Sequence, residues 1–332
     1  MPKTAIVGTT SWGTTLGIVL ARAGVDVQLL ARTDEEAKSL ESARVNRRFV
    51  PGASFPDRLH VVADPKSAFE DADVVMLVVP SRSLRDNARR FGSSIDPAST
   101  VVSATKGLEL ATGMRMSQVL AEEILHSTGV GICALSGPNL ATEIAAGKPS
   151  STVVASPNGE AAARIQSIFN SDVFRVYTND DIIGVELCGA LKNIVALGAG
   201  ICDGLGVGDN AKAAFMTRGL AEITRLGMAA GAKPATFAGL AGMGDLIATC
   251  SSTLSRNHHV GEELAKGKSI ADIRATMDNV AEGVDTTPPA LELADRLGVE
   301  MPIALGLHDV MFGGLSVPDA IAGLMGRAPK PE

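Results

Sequence analysis

Apolar positions along the chain follow two rhythms, and the change between them falls near residue 181. Before it, short unbroken apolar runs alternate with stretches of helical spacing. Lys3–Gly8 reads as a buried strand, Trp12–Ala23 as a helix stopped by Gly24, and Val25–Ala31 as a second strand. Asp73–Val79 carries no polar residue after Asp73, and Thr100–Ala104 and Val130–Leu135 are similar. Runs of this kind suit parallel strands covered on both faces. Helical spacing over Ser83–Phe91 and Met114–Leu125 separates them, and Ser151–Ala155 and Val173–Tyr177, flanking a helical Ala161–Phe169, predict an extension of the same sheet. The alternation predicts a doubly wound α/β sheet over residues 1–181.

From residue 182 onward the strand signals stop. Helices are predicted at Ile182–Cys202, Ala211–Ala230, Arg256–Lys266, Glu282–Leu297, Ile303–Phe312 and Val317–Leu324, so residues 182–332 read as a second, all-α domain. At 332 residues the chain is long enough for two cores. Aromatic residues are only 3%, so Ala, Val, Ile and Leu must fill those cores. A net charge of -7 argues against nucleic acid or an anionic membrane as partner. No unbroken apolar run approaches the ~18 residues needed to span a bilayer. The N-terminus begins a strand rather than a signal peptide. Cys133, Cys188, Cys202 and Cys250 show no metal or redox spacing and read as buried thiols of a cytoplasmic protein, with no metal site expected.

Residues that carry chemistry cluster at the ends of these elements. Gly8-Thr9-Thr10-Ser11-Trp12-Gly13 joins a strand to a helix, the context of a Rossmann-type dinucleotide loop. Gly8 permits the turn, Gly13 permits close packing, and the helix N-terminus offers amides to a pyrophosphate. Thr10 replaces the middle glycine, and its Cβ either pushes the cofactor outward or its hydroxyl donates to phosphate. Arg32 at the tip of the second strand suits the 2′-phosphate of NADP, although Asp34 and Glu35 follow closely. A solvated helix start capped by Thr33 or Asp34 accounts for that segment nearly as well. Lys106 stands at the carboxyl tip of a strand, where open parallel sheets bind ligands, and Gly137 and Asn139 sit in a similar strand-to-helix turn.

From Leu187 to Cys202 the only polar side chains are Lys192 and Asn193. A helix apolar all round is buried, and an unpaired buried lysine is disfavoured in its charged form. Such a group can trade a proton near neutrality, which makes Lys192 a candidate acid–base; the plain alternative is a snorkelling side chain. Gly242-Met243-Gly244-Asp245 presents one carboxylate on a Gly-rich turn. Ser255-Arg256-Asn257 opens a helix and combines a cap, a guanidinium and free amides into an anion site. The neighbouring His258 and His259 point to different sides of that helix and make poor joint metal ligands.

Together these segments resemble the bacterial NAD(P)-dependent glycerol-3-phosphate dehydrogenase family. The resemblance rests on Ser11-Trp12-Gly13, Asn46–Pro51, Ala104–Glu109, Ser136-Gly137-Pro138, Phe174–Tyr177, Gly189–Asn193, Thr217–Glu222, Gly242–Asp245, Ser255–Asn257, Glu282-Gly283 and Glu300-Met301-Pro302. It implies interconversion of dihydroxyacetone phosphate and sn-glycerol 3-phosphate, supplying glycerophospholipid synthesis, by a cytoplasmic homodimer that uses NAD or NADP. Lys192, Lys106 and Asp245 match catalytic positions. Lys106, Gly137, Asn139, Lys192, Asn193, Asp245, Ser255, Arg256 and Asn257 match substrate contacts. Gly8, Ser11, Trp12, Gly13, Arg32, Phe49, Lys106, Ala141, Arg256, Val280 and Glu282 match cofactor positions, and Arg32 leans the choice towards NADP. The chain departs from the family at Gly8-Thr9-Thr10, where Gly-Ala-Gly is usual, and at Asn139, where Ser or Thr is usual. Two other readings stay open: a two-domain dehydrogenase of a small hydroxy acid, and a cofactor-binding sensor without turnover.

Overall fold

The computed structural model describes residues 1–124, 131–277 and 281–329. Leu125, Val130, Val280 and the last three residues, each part of a segment or site named above, lie outside that range. The chain folds into two compact units, residues 1–106 with 114–186, and residues 107–113 with 187–332.

The first unit is one eight-stranded sheet. Its elements run β1 (Lys3–Val7), α1 (Ser11–Arg22), β2 (Asp26–Leu30), α2 (Asp34–Ala43), β3 (Leu59–Val62), α3 (Pro65–Phe69), β4 (Val74–Leu77), α4 (Leu84–Phe91), β5 (Thr100–Ser103), α5 (Met116–Glu123), β6 (Ile132–Ser136), α6 (Ala141–Ala145), β7 (Ser150–Ala155), α7 (Gly159–Phe169) and β8 (Phe174–Asn179). The strand order is β3-β2-β1-β4-β5-β6-β7-β8. All neighbours are parallel except β6 and β7, where only the short α6 intervenes and the chain returns antiparallel. The unbroken apolar runs are explained by burial on both faces: Val74 and Met76 enter one core cluster, Val75 and Leu77 the other. Helices α1 and α7 cover the first face, α4 and α5 the second. Both predicted extensions of the sheet are present as β7 and β8. The apolar pattern does not mark strand β3 or helix α2. Of the alternatives for the α2 start, Thr33 is the cap and accepts from the Glu36 amide at 3.2 Å.

The second unit is helical: α8 (Ile182–Leu205), α9 (Asp209–Ala229), α10 (Pro234–Phe237), a π turn at Leu240–Gly244, α11 (Asp245–Ser251), α12 (Arg256–Ala265), α13 (Ile270–Ala275), α14 (Glu282–Arg296), α15 (Pro302–Phe312) and α16 (Val317–Met325). The division between units falls inside α8, after Glu186. Glu186 belongs with the first unit because its carboxylate accepts from the Ser117 amide at 2.7 Å and pairs with Arg115 at 2.5 Å.

Helix α8 corrects one expectation. It is long and apolar enough to cross a membrane, with a mean hydropathy of 1.6 over its most apolar stretch. Counting only unbroken apolar runs missed this, because Lys192 and Asn193 interrupt them. In the structure 83% of that stretch is buried within the protein, as in a core helix. The four cysteines are free, three of them buried and Cys202 partly so.

Buried Glu222 of α9 caps α15: its two carboxylate oxygens accept from the amides of Ile303 at 3.0 Å and Ala304 at 2.9 Å. Burial pushes its carboxyl pKa up against the pull of those amides, and the rise wins. Glu222→Ala orphans both donors and is expected to lower unfolding free energy by about 2–3 kcal/mol, read from urea denaturation. Glu222→Gln, which keeps one acceptor, should lose less.

Candidate active site

In the first unit the loop after β1 is closed by contacts that leave no room for side chains at two positions. A Cβ at Gly8, where φ is +117°, would lie 2.5 Å from the Val78 carbonyl oxygen, and one at Gly13 would lie 2.1 Å from the Gly8 carbonyl oxygen. Thr10 caps α1. Its hydroxyl accepts from the Gly13 amide at 3.1 Å and donates to the Val78 carbonyl at 3.1 Å. The hydroxyl is therefore engaged within the protein, which weighs against the alternative in which it donates to phosphate. The amides of Ser11 and Trp12 have no partner among the described residues and remain for an anion at the helix N-terminus.

Asn46, which the motif reading quoted but gave no role, braces this loop. Its Nδ2 donates to the Thr9 carbonyl and to the Thr14 hydroxyl, both at 2.9 Å, and its Oδ1 accepts from the Phe49 amide at 3.3 Å. Trp12 and Phe49 pack against the core cluster of that face, and Trp12 Nε1 is buried without a partner among the described residues. Ala141 begins α6 and is tied to α1 through its carbonyl, which accepts from the Thr15 hydroxyl at 3.2 Å. Arg32 is largely exposed and lies 3.5 Å from Glu36. Amides at a helix start, glycines packed against backbone and flanking aromatics together fit a dinucleotide cofactor.

Two further sequence candidates meet at the carboxyl ends of β5 and β6. Lys106 Nζ donates to the Gly137 carbonyl at 2.9 Å. Asn139 Nδ2 donates to the Thr152 hydroxyl at 3.0 Å, while Asn139 Oδ1 is buried with no partner among the described residues. That oxygen is an acceptor still available to a ligand donor.

In the second unit Lys192 and Asp245 are 5% and 2% exposed, and their charged atoms are 2.9 Å apart. Thr249 completes the cluster, accepting from Lys192 Nζ at 2.5 Å and donating to Asp245 Oδ1 at 3.3 Å. The π turn delivers Asp245 to the first position of α11, and Thr249 follows one helical turn later. Sequence reasoning missed Thr249, although the i, i+4 spacing from Asp245 could have found it. The buried lysine of the sequence reading thus has a compensating carboxylate.

The anion site predicted at α12 has its cap: Ser255 Oγ accepts from the His258 amide at 3.2 Å. The backbone amides of Arg256 and Asn257 have no partner among the described residues. The side chain of Asn257 is engaged elsewhere. Its Nδ2 donates to Asn193 Oδ1 and its Oδ1 accepts from the Gly283 amide, both at 2.9 Å, so the two asparagines join α8, α12 and α14. Arg256 is exposed as a residue, but the protein around its guanidinium lowers its pKa, against the smaller opposing charge of Glu282, the first residue of α14. His258 turns away towards Asp203 at 2.6 Å, whereas His259 is exposed.

Residues 3–162 match the family model described as NAD-dependent glycerol-3-phosphate dehydrogenase N-terminus, and residues 181–322 match its C-terminus. A glycerol-3-phosphate dehydrogenase [NAD(P)+] of Dehalococcoides mccartyi is 50% identical over 98% of this chain and 91% of its own length. One from Bacillus mycoides is 46% identical over 100% of this chain and 98% of its own. Among solved structures, glycerol-3-phosphate dehydrogenase from Coxiella burnetii superposes with a TM-score of 0.93 at 36% identity, covering 98% of this chain and 99% of that one.

The packing of the loop is directly testable. Gly13→Ala forces a Cβ into backbone and is expected to destabilise by about 1–3 kcal/mol. Gly52→Ala, where nothing lies within 4 Å, is the matched control and should unfold at the same urea concentration as the parent.

Proposed function

The chain belongs to the NAD-dependent glycerol-3-phosphate dehydrogenase family, and on that footing we propose that it interconverts dihydroxyacetone phosphate and sn-glycerol 3-phosphate with NAD(P) as cofactor. The observation that carries this reading is the buried Lys192–Asp245–Thr249 cluster. The reduced cofactor, when bound, supplies a hydride to the ketone carbon C2. Lys192 gives its proton to the ketone oxygen as negative charge develops there, and in the reverse direction takes it from the alcohol. Asp245 compensates the ammonium and Thr249 fixes the direction of Nζ. Lys106, anchored on the Gly137 carbonyl, adds a positive charge for cofactor and substrate, with Asn139 as a polar contact. Arg256 and the backbone amides of Arg256 and Asn257 hold the substrate phosphate, with Ser255 keeping the helix start in shape and Asn193 holding Asn257 in place. Gly8, Ser11, Trp12, Gly13, Arg32, Phe49, Ala141 and Glu282 complete the cofactor contacts.

In the cell the product would feed glycerophospholipid synthesis. Four free cysteines suit a reducing cytoplasm. Exposed apolar side chains on α15 and α16, among them Leu305, Phe312, Ile321 and Met325, support a homodimer.

Purified protein should oxidise NADH or NADPH when dihydroxyacetone phosphate is added, and should fail with unphosphorylated dihydroxyacetone or 2-keto acids. Lys192→Ala should lower kcat on the order of 10²–10⁴-fold, and near-normal turnover would remove Lys192 from the proton step. Arg256→Ala should raise KM for the phosphate substrate roughly tenfold to a hundredfold, with an unchanged KM assigning the phosphate elsewhere. Light scattering should give about twice the 34.2 kDa chain mass, and a monomer at micromolar concentration would end the dimer proposal.

A further inference from the structure

The tip of β2 holds a carboxylate that the motif pattern did not reveal. In a strand–loop–helix–strand unit of this kind, that tip is where the adenosine ribose is recognised, by an acid on the 2′-hydroxyl of NAD or a cation on the 2′-phosphate of NADP. Arg32 occupies the tip, but it does not act alone. Glu36, in the first turn of α2, reaches back between the glycine loop and the strand end. Its Oε1 accepts from the Thr9 hydroxyl at 2.6 Å, and its Oε2 accepts from the Arg32 amide at 3.1 Å and lies 3.5 Å from Arg32 Nε. Burial pulls the Glu36 pKa up, but the bonds from Thr9 and from Arg32, with the charge of Arg32, outweigh it, so the carboxyl is held below its usual range and stays ionised at neutral pH. The Glu36 side chain is 23% exposed and that of Arg32 is 76% exposed. The fixed charge at the tip is thus the negative one, while the guanidinium is solvated and already paired.

Resting on the dinucleotide-binding reading above, we infer that Glu36, held by Thr9 and the Arg32 amide, selects NADH over NADPH. A carboxylate accepts a hydrogen bond from a 2′-hydroxyl and repels a 2′-phosphate. Arg32, whose charge Glu36 offsets, does not reverse that balance, so the inference runs opposite to the leaning towards NADP drawn from Arg32 alone.

The test is fluorescence titration of the cofactor-free protein with NADH and with NADPH, without substrate, alongside kcat/KM for each. The parent should bind NADH more tightly, by roughly ten- to a hundredfold. Glu36→Gln keeps the shape and removes the charge. It should tighten NADPH at least roughly tenfold and leave NADH no tighter than in the parent, since it weakens the acceptor for the 2′-hydroxyl. Glu36→Ala should move the ratio the same way, which covers misfolding of either variant. Adding Arg32→Ala to Glu36→Gln should abolish the gain, because the released guanidinium is what then holds the 2′-phosphate. A parent that binds NADPH as tightly as NADH, or a ratio unmoved by both Glu36 variants, overturns the inference while leaving the dehydrogenase reading intact. Failure of the parent to bind either cofactor overturns both.

Discussion

A lysine ammonium inside an apolar helix is tolerable only where a fixed opposite charge and hydrogen-bond acceptors replace the water it has lost. That requirement organises the helical unit. Lys192 sits midway along α8, and its charge is met by Asp245 from α11, a helix whose entry angle is set by the preceding π turn. Thr249 closes the third side, so neither charged group depends on a single contact. One residue on, Asn193 passes the same order to Asn257 and through it to the Gly283 amide, so the start of α12 is held by the helix that carries the lysine. The positions of Lys192 and of the start of α12 are therefore consequences of one packed arrangement.

The two units solve a shared problem by the same local means. An acidic chain that handles phosphates cannot rely on its overall field, so attraction must come from a few oriented groups. At the start of α1 a threonine side chain caps one amide and leaves two, and at the start of α12 a serine does the same. In each case the cap satisfies the amide three residues on and leaves the two before it without a partner among the described residues.

The sheet was legible because parallel strands covered on both faces have no polar alternation to confuse the reading, as Val74–Leu77 and Thr100–Ser103 show. Strand β3 was not, because it is four residues long at the sheet edge with His60 exposed. Residue types at the candidate site were legible one motif at a time, but their partners were not. Asp245 pairs with a lysine far away in sequence, and the side-chain amide of Asn257 is occupied by another buried asparagine, neither of which spacing encodes. Glu36 escaped for the opposite reason. It lies close to Arg32 in sequence, where one more acid at a helix start reads as an ordinary favourable charge near the dipole, and its bonds to Thr9 and to the Arg32 amide are what distinguish it.

Thr10 shows how a fingerprint can lose a residue and keep its geometry. The middle glycine of such loops allows backbone to approach phosphate because nothing projects from it. Here a side chain is present, but both of its hydrogen-bonding roles are directed into the protein, to the Val78 carbonyl and to the Gly13 amide. Val78 is the same carbonyl that forbids a Cβ at Gly8, so one backbone oxygen at the end of β4 fixes two positions of the loop. With its hydroxyl anchored there, Thr10 rigidifies the turn. The adjacent Thr9 hydroxyl is directed to Glu36, so the substituted loop is coupled to the tip of β2, where the unsubstituted pattern would provide no such link. A change that sequence comparison scores as a weakened motif is, in hydrogen-bond terms, a loop more firmly fixed to its neighbours.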